Sequence, residues 1–383
     1  MKMLHELSRR VPASVRRLGR PVKKAVELWR NYRCGLWILS GRERHSGYPL
    51  VVAYAGTDYS KSYFAGKIFA QDFEEQNLGR RWVFRALKGA LLRRADISLF
   101  ACEVPTPIEN VFKPEAFATI PIWIRMEAKL SADSRVWSSK RFLLTQKRVK
   151  KDRLTVQVSR DLEPFNHFYR DTYLPYIRAR HEGAAVTDSA ELAALKFTEG
   201  DCELLLVRQD GELLGGIVIS MRDGVERFWW LAGSLSERGK MGSLTDVLYY
   251  FAILRGRDAG CSLLNMGHCH AFLSDGLLWY KREWGGVLLN ERGIYDGQIA
   301  LQVLNAPSAL KSFLRHNPFV GTDKNGRFNI HCFTDGTSEG EDEVKRWNSR
   351  YCNPGRIGIR VFNTVPELQV RPDKERELEP ALF

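Results

Sequence analysis

The sequence is short of the features that would place it quickly. It has no run of about 18 apolar residues, so no transmembrane helix is expected. The first thirty residues lack a continuous apolar stretch, so no secretory signal is evident. None of the seven cysteines (Cys34, Cys102, Cys202, Cys261, Cys269, Cys332, Cys352) forms a C-x-x-C pair, and their number is odd. Several sit in apolar runs, as Cys102 does in Leu99-Phe100-Ala101-Cys102. Reduced, buried thiols in a cytoplasmic protein are therefore expected, not a disulfide framework. Acidic residues are also scarce against basic ones, 45 to 58, for a net charge of +13. With 44% hydrophobic residues in 383, there is ample core for two domains of about 100–200 residues each.

The positive charge is uneven. Residues 1–31 hold nine cations (Lys2, Arg9, Arg10, Arg16, Arg17, Arg20, Lys23, Lys24, Arg30) against Glu6 and Glu27. Leu4, Leu7, Val11, Val15, Leu18 and Val22 recur there at spacings of three and four, broken by Pro12 and Pro21. Such an arm suits an anionic membrane surface, a nucleic acid, or simple packing on its own domain. A second basic run (Lys140, Arg141, Lys147, Arg148, Lys150, Lys151, Arg153) contains Phe142, Leu143, Leu144 and Val149 and reads as a helix with one apolar side. It is either an electrostatic landing for a phosphorylated donor or tRNA, or a charged connecting helix.

The stretch from Asp201 to Gly286 holds most of the information. Strands are expected at 203–208, 213–221 and 226–232, the first two joined at Gln209-Asp210-Gly211-Glu212. A polar loop at 233–242 leads into a long helix at 243–259, and a short strand follows at 262–266. A loop leaving a strand and entering a helix N-terminus is a ready anion site. Trp229 and Trp230 should face opposite sides of their strand. Upstream, 165–180 reads as one helix with Phe165, Phe168, Tyr169, Tyr173 and Tyr176 at helical spacing, ending in Arg178, Arg180 and His181.

On either side the pattern stays mixed, which argues for α/β or α+β architecture. Before Asp201, strands are expected at 34–39, 50–54, 62–69, 97–102 and 120–128, with a helix at 80–94. After Gly286, strands are expected at 298–304, 326–334 and 356–363, with helices at 308–315 and near 343–350 and a loop at 335–342. The charged end from Arg371 should fray. The expected division is a basic arm (1–29), an N-terminal domain (30–132), a central domain (133–318) and a C-terminal extension (319–383).

Several side chains invite chemistry. His268-Cys269-His270 follows the short strand. Two histidines at i, i+2 with one cysteine and no fourth ligand make a poor metal site, so no metal is assigned. Either histidine could act as a general base near neutral pH, at the end of a parallel strand. Asp275 is a base candidate or the cap of the helix that follows it.

Taken in order, these residues resemble a family. The close Asp275-Gly276-Leu277-Leu278-Trp279-Tyr280-Lys281-Arg282-Glu283-Trp284-Gly285, preceded by Ala259-Gly260 and Asn265-Met266-Gly267, resembles GNAT-fold acyltransferases. The likeness is to the branch of Fem-like aminoacyl transferases and CelD-like acetyltransferases of polysaccharide biosynthesis. It covers roughly Arg135 to Leu310. An acidic residue usual at the position of Asn265 is missing.

The resemblance implies a GNAT-like mixed sheet flanked by helices. In the N-terminal domain, strands around one long helix suggest a degenerate second copy of the same unit, the alternative being an unrelated α/β cap, and a small C-terminal extension follows the central domain. The donor's phosphates would lie on Arg238, Gly239, Lys240, Gly242 and Ser243, although Met241 stands where the family has a glycine. Lys281 would sit near the reacting carbonyl, with Tyr280 as an acid.

Three functions follow. One is acyl transfer from acyl-CoA, acetyl-CoA first, to an amine or hydroxyl of a saccharide or lipid-linked acceptor in cell-surface polysaccharide or glycolipid synthesis. This would occur in the cytoplasm or at the inner membrane surface. A second is Fem-like transfer from aminoacyl-tRNA to a cell-wall precursor. The third is a non-catalytic interaction protein of this fold.

Overall fold

The computed structural model describes residues 33–82, 93–104, 118–181, 187–233, 241–289, 297–322, 327–351, 358–363 and 376–378. The basic arm lies outside them. The chain divides into two compact units, Met1–Ile122 with Arg292–Phe383, and Trp123–Glu291. Both are mixed α/β, as the alternation of strand and helix patterns required.

The first unit holds a six-stranded sheet in the order β3-β1-β2-β4-β13-β5. Its strands are β1 (Arg33–Glu43), β2 (Pro49–Gly56), β3 (Phe69–Trp82), β4 (Leu99–Val104), β5 (Ala118–Pro121) and β13 (Gln298–Val303). All neighbours are antiparallel except β2 and β4. A second sheet, β14 (Phe319–Thr322), β15 (Phe328–Thr334), β16 (Gly358–Asn363) and β17 (Arg376–Leu378), contains the βαβ-like extension. There β15 and β16 are parallel and joined across helix Ser338–Tyr351. That helix takes in the end of the loop expected at 335–342.

One expectation for this unit fails. The strand expected at 62–69 is helix Asp58–Ile68. Thr57 caps it through Ser60 N, and Ser60, Lys61, Phe64, Ala65 and Ile68 are buried at the three- and four-residue spacing of a helix. The expected helix at 80–94 begins inside β3, and residues 83–92 lie outside the described residues. β3 was hidden because most of its side chains are polar and exposed.

The second unit holds a seven-stranded sheet in the order β12-β6-β11-β10-β9-β8-β7. It contains β6 (Ile124–Lys129), β7 (Thr155–Ser159), β8 (Cys202–Gln209), β9 (Glu212–Arg222), β10 (Val225–Gly233), β11 (Leu263–Cys269) and β12 (Val287–Leu288). The hairpin between β8 and β9 turns at Asp210 and Gly211, both at positive φ (48° and 87°), a setting that suits Asp-Gly. Helix Met241–Asp258 follows β10 and packs on β8, β9 and β10. On the sheet, Phe165, Phe168, Tyr169, Phe197, Leu204 and Trp230 form one buried cluster. Trp230 is 5% exposed and Trp229 43%, but their ring centroids lie only 5.6 Å apart, and the β10–β9 register shifts between Phe228 and Leu231, so the expected placement on opposite faces does not hold. The helix expected over 165–180 is interrupted by a π-helical turn at Phe168–Tyr173.

Long-range pairing moves the domain limits. The expected strand 120–128 divides into β5 and β6, which belong to different sheets. β6 pairs with β11, so the second unit begins at Trp123, before the position 133 read from sequence. β13 pairs with β4 and β5, so 298–303 belongs to the first unit, not to the central domain. Among the described residues no helix is long and apolar enough to cross a membrane, and six cysteines are free and buried.

Candidate functional site

Among the described residues, β10 and β11 are the one parallel pair in their sheet, and they stay together only briefly. Pairing covers Val225↔Leu263, Glu226↔Leu264 and Arg227↔Asn265. Beyond it β10 runs on to Gly233, held on its far edge by β9, and β11 runs on to Cys269, held on its far edge by β6. The sheet therefore parts along Phe228–Gly233 and Met266–Cys269, toward the carboxyl ends of two parallel strands. Ligands of open α/β sheets bind at such ends.

Helix Met241–Asp258 is oriented by its packing on this sheet. A Cβ on Gly256 would overlap the carboxylate of Glu226, which lies near the start of β10. The last turns of the helix thus lie at that end, and its N-terminus lies toward the open end of the split. Tyr249 of this helix packs edge-on against Phe228 at 4.8 Å and Tyr280 at 5.1 Å. Its ring centroid is 5.7 Å from that of Trp284.

Lys281 lies on helix Gly276–Glu283 and is 3% exposed. Its Nζ donates to the carbonyl oxygen of His268 at 2.6 Å, on the part of β11 beyond the split. Burial pulls its pKa down to about 8, partly opposed by electrostatic attraction to the neighbouring Cys269 and Asp275 side chains. An ammonium that titrates near neutrality in a buried setting can stabilise a developing oxyanion or exchange a proton.

Tyr280 faces a different partner. Its hydroxyl donates to Asp246 Oδ1 at 2.8 Å, and Arg141 Nη1 donates to both Asp246 oxygens at 2.8 and 3.0 Å. The guanidinium also lies over the Tyr280 ring at 4.8 Å. Burial first, and then the Asp246 charge, push the phenol's pKa up. The phenol proton is committed to Asp246, which constrains any role as an acid.

The remaining candidates separate. Asp275 caps the helix, its Oδ1 accepting from Leu277 N at 3.0 Å and Leu278 N at 3.2 Å. Asn265 Oδ1 accepts from Gly267 N at 2.9 Å, so the amide provides the acceptor an acid would offer there. Gly267 has φ +75°, which only glycine adopts readily. His268 is exposed, with its ring 6.4 Å from that of Trp123, and His270 stacks on Trp123 at 4.3 Å. Burial pushes the Cys269 thiol up to about 12, so it is no nucleophile at neutral pH.

Arg238, Gly239 and Lys240 lie outside the described residues. Gly242 and Ser243 fall in the first turn of helix Met241–Asp258. Sequence reasoning missed Arg141 and Asp246. An isolated acid in the apolar first half of a long helix was the signal for Asp246, whereas nothing local distinguished Arg141 from its basic neighbours.

The parallel pair of the six-stranded sheet in the first unit offers a contrast. β2 and β4 are paired to Ala55↔Cys102, near their carboxyl ends, and the junction is filled from within. Glu103 Oε1 accepts from Thr57 N (2.8 Å), Thr57 Oγ1 (2.9 Å) and Tyr54 OH (2.9 Å), at the N-terminus of helix Asp58–Ile68. There a side-chain carboxylate fills the junction at the carboxyl ends of the pair.

The second unit has a mixed sheet flanked by helices, the architecture that the resemblance implied. No protein-family model and no curated protein matches the sequence. Among solved structures the chain is similar to L-PGS from Bacillus licheniformis (12% identity, 72% of this chain and 82% of that one, TM-score 0.36). It is also similar to FemX (13%, 68% and 83%, TM-score 0.35). A third similar structure is an aminoglycoside acetyltransferase from an uncultured soil metagenomic sample (11%, 36% and 89%, TM-score 0.26). Likeness at this level fixes no activity, and function has to be argued from the site.

Proposed function

We propose that the chain is a GNAT-like acyltransferase that moves an acyl group from acyl-CoA, acetyl-CoA first, to an amine or hydroxyl. The acceptor is a cell-surface polysaccharide or glycolipid precursor, met on the cytoplasmic side. The observation that supports this reading is the split between β10 and β11 with the buried Lys281 amine at its edge. An acyl donor laid in the split would direct its phosphates toward the N-terminus of helix Met241–Asp258. Its carbonyl would lie beside Lys281.

The chemistry then follows from the side chains. The acceptor attacks the thioester carbonyl and a tetrahedral oxyanion forms. Lys281, mostly an ammonium at neutral pH, stabilises that charge where water is excluded. His268 or a water it holds takes the acceptor's proton. The thiolate of the donor leaves and is protonated. Arg141 and Asp246 fix the helix that carries Lys281 by holding Tyr280.

A second reading, transfer from aminoacyl-tRNA, is favoured by Met241, which occupies a position where a CoA cradle has glycine. Thermal shift separates the two. CoA at 100 times its dissociation constant should stabilise the protein by about 2.7 kcal/mol, and less after Arg238→Ala with Lys240→Ala. No shift with CoA, together with a shift from aminoacyl-tRNA, selects the second reading. No shift with either rejects both.

A further inference from the structure

Helix Lys140–Lys151 buries Phe142, Thr145 and Val149 on one side. At the 3.6-residue period of a helix, Lys140, Leu143, Leu144, Lys147, Lys150 and Lys151 fall on the opposite side within an arc of about 120°. All six are exposed, Leu143 at 43% and Leu144 at 55%. The helix contains no acidic residue. Its two other cations are engaged, Arg141 with Asp246 and Arg148 with Asp152. Among the described residues, no ion pair involves any of the four lysines.

A merely solvated face accounts for the lysines but not for two adjacent leucines among them. A nucleic acid would use the lysines and gain from aromatic rings on which bases stack, yet the apolar residues here are aliphatic. An anionic bilayer uses both, because binding grows with buried apolar area and with attraction of basic side chains to acidic headgroups. We propose that this face docks the protein on an anionic lipid bilayer, with Leu143 and Leu144 at the headgroup boundary and the four lysines on lipid phosphates. Arg141, on the inward side of the same helix, holds Asp246 and Tyr280, so the docked face and the candidate site are two sides of one helix. Docking does not depend on the catalytic reading.

The test is cosedimentation of the full chain with vesicles of phosphatidylcholine containing about 30% phosphatidylglycerol, a proportion that gives the negative surface potential required. Vesicles of phosphatidylcholine alone serve as control. Each lysine near such a surface contributes about fivefold to partitioning. Lys147→Gln with Lys150→Gln should therefore weaken binding about 30-fold. Leu143→Ser with Leu144→Ser should weaken it about tenfold, since roughly half of each side chain is available for burial. All four positions are exposed, and melting curves confirm that the variants fold.

Binding to anionic vesicles only, weakened by both double variants, supports the proposal. Absence of binding by the wild type, or wild-type binding by either double variant, overturns it. If the leucine variant keeps vesicle binding while the lysine variant loses vesicle and tRNA binding alike, the face is an electrostatic nucleic-acid surface instead.

Discussion

Lys281→Met tests both the geometry and the chemistry of the candidate site. Methionine keeps the stem volume and deletes the charge. Lowering the pKa of the buried amine from 10.5 to about 8 corresponds to roughly 3 kcal/mol against the charged form. The unfolded chain binds this proton more tightly than the folded one. Stability therefore rises with pH between about 8 and 10.5, and the cost of burying the charge is fully present below pH 8.

Between pH 7.5 and 9.5 the wild type should gain roughly 2 kcal/mol from this group. Other titrating groups cancel in the comparison with the variant. Lys281→Met should lack that gain. At pH 7 it loses the hydrogen bond to His268, a penalty of about 1–3 kcal/mol, but also the charge-burial cost, so its stability should stay within about 2 kcal/mol of wild type. Urea denaturation at the two pH values measures this. Single-turnover acyl transfer with saturating donor should fall about 100–1000-fold. Lys281→Arg should restore little, because a planar guanidinium does not replace a compact ammonium. A variant that keeps the pH-dependent gain would refute the burial argument. Near-wild-type turnover would refute the catalytic one and leave His268 as the candidate.

Two further predictions concern neighbouring groups. Glu226 is fully buried with neither carboxylate oxygen bonded, and burial first, then the Glu203 charge, raise its pKa well above the usual range. The folded chain holds this proton more tightly, so stability falls as pH rises above the unfolded carboxyl pKa of about 4.3. Glu226→Gln should remove that slope and raise the melting temperature at pH 8 by about 2–4 °C; an unchanged slope in thermal melts at several pH values would exclude Glu226 as its source. Asp246→Asn should cost about 1–3 kcal/mol, since Arg141 and Tyr280 both donate to it. A double-mutant cycle with Tyr280→Phe should give a coupling above about 0.5 kcal/mol, and additive effects would mean that the two do not act together.

The sequence by itself determined what local periodicity and capping can encode. Strands 203–208, 213–221 and 226–232 and helix 243–259 were legible as apolar runs bounded by turn residues, although Cys202–Val207 and Gly215–Ser220 are buried on both faces and not alternately. Asp275 was legible as a cap, and the Asp-Gly turn as a hairpin. Those elements, in that order, were enough for the mixed α/β class and for the order of strands 203–232 in one sheet. Tertiary structure alone decided which distant segments pair. β6 completes the second sheet beside β11, and β13 leaves that unit to join β4 and β5. It also made Asp58–Ile68 a helix, since apolar residues in a short stretch fit either period until the surrounding burial selects one. The split between β10 and β11, the burial of Lys281 against a β11 carbonyl and the Arg141–Asp246–Tyr280 network were not legible. Each depends on groups brought together from separate elements, and burial sets a side chain's charge and reactivity through neighbours that local sequence does not name.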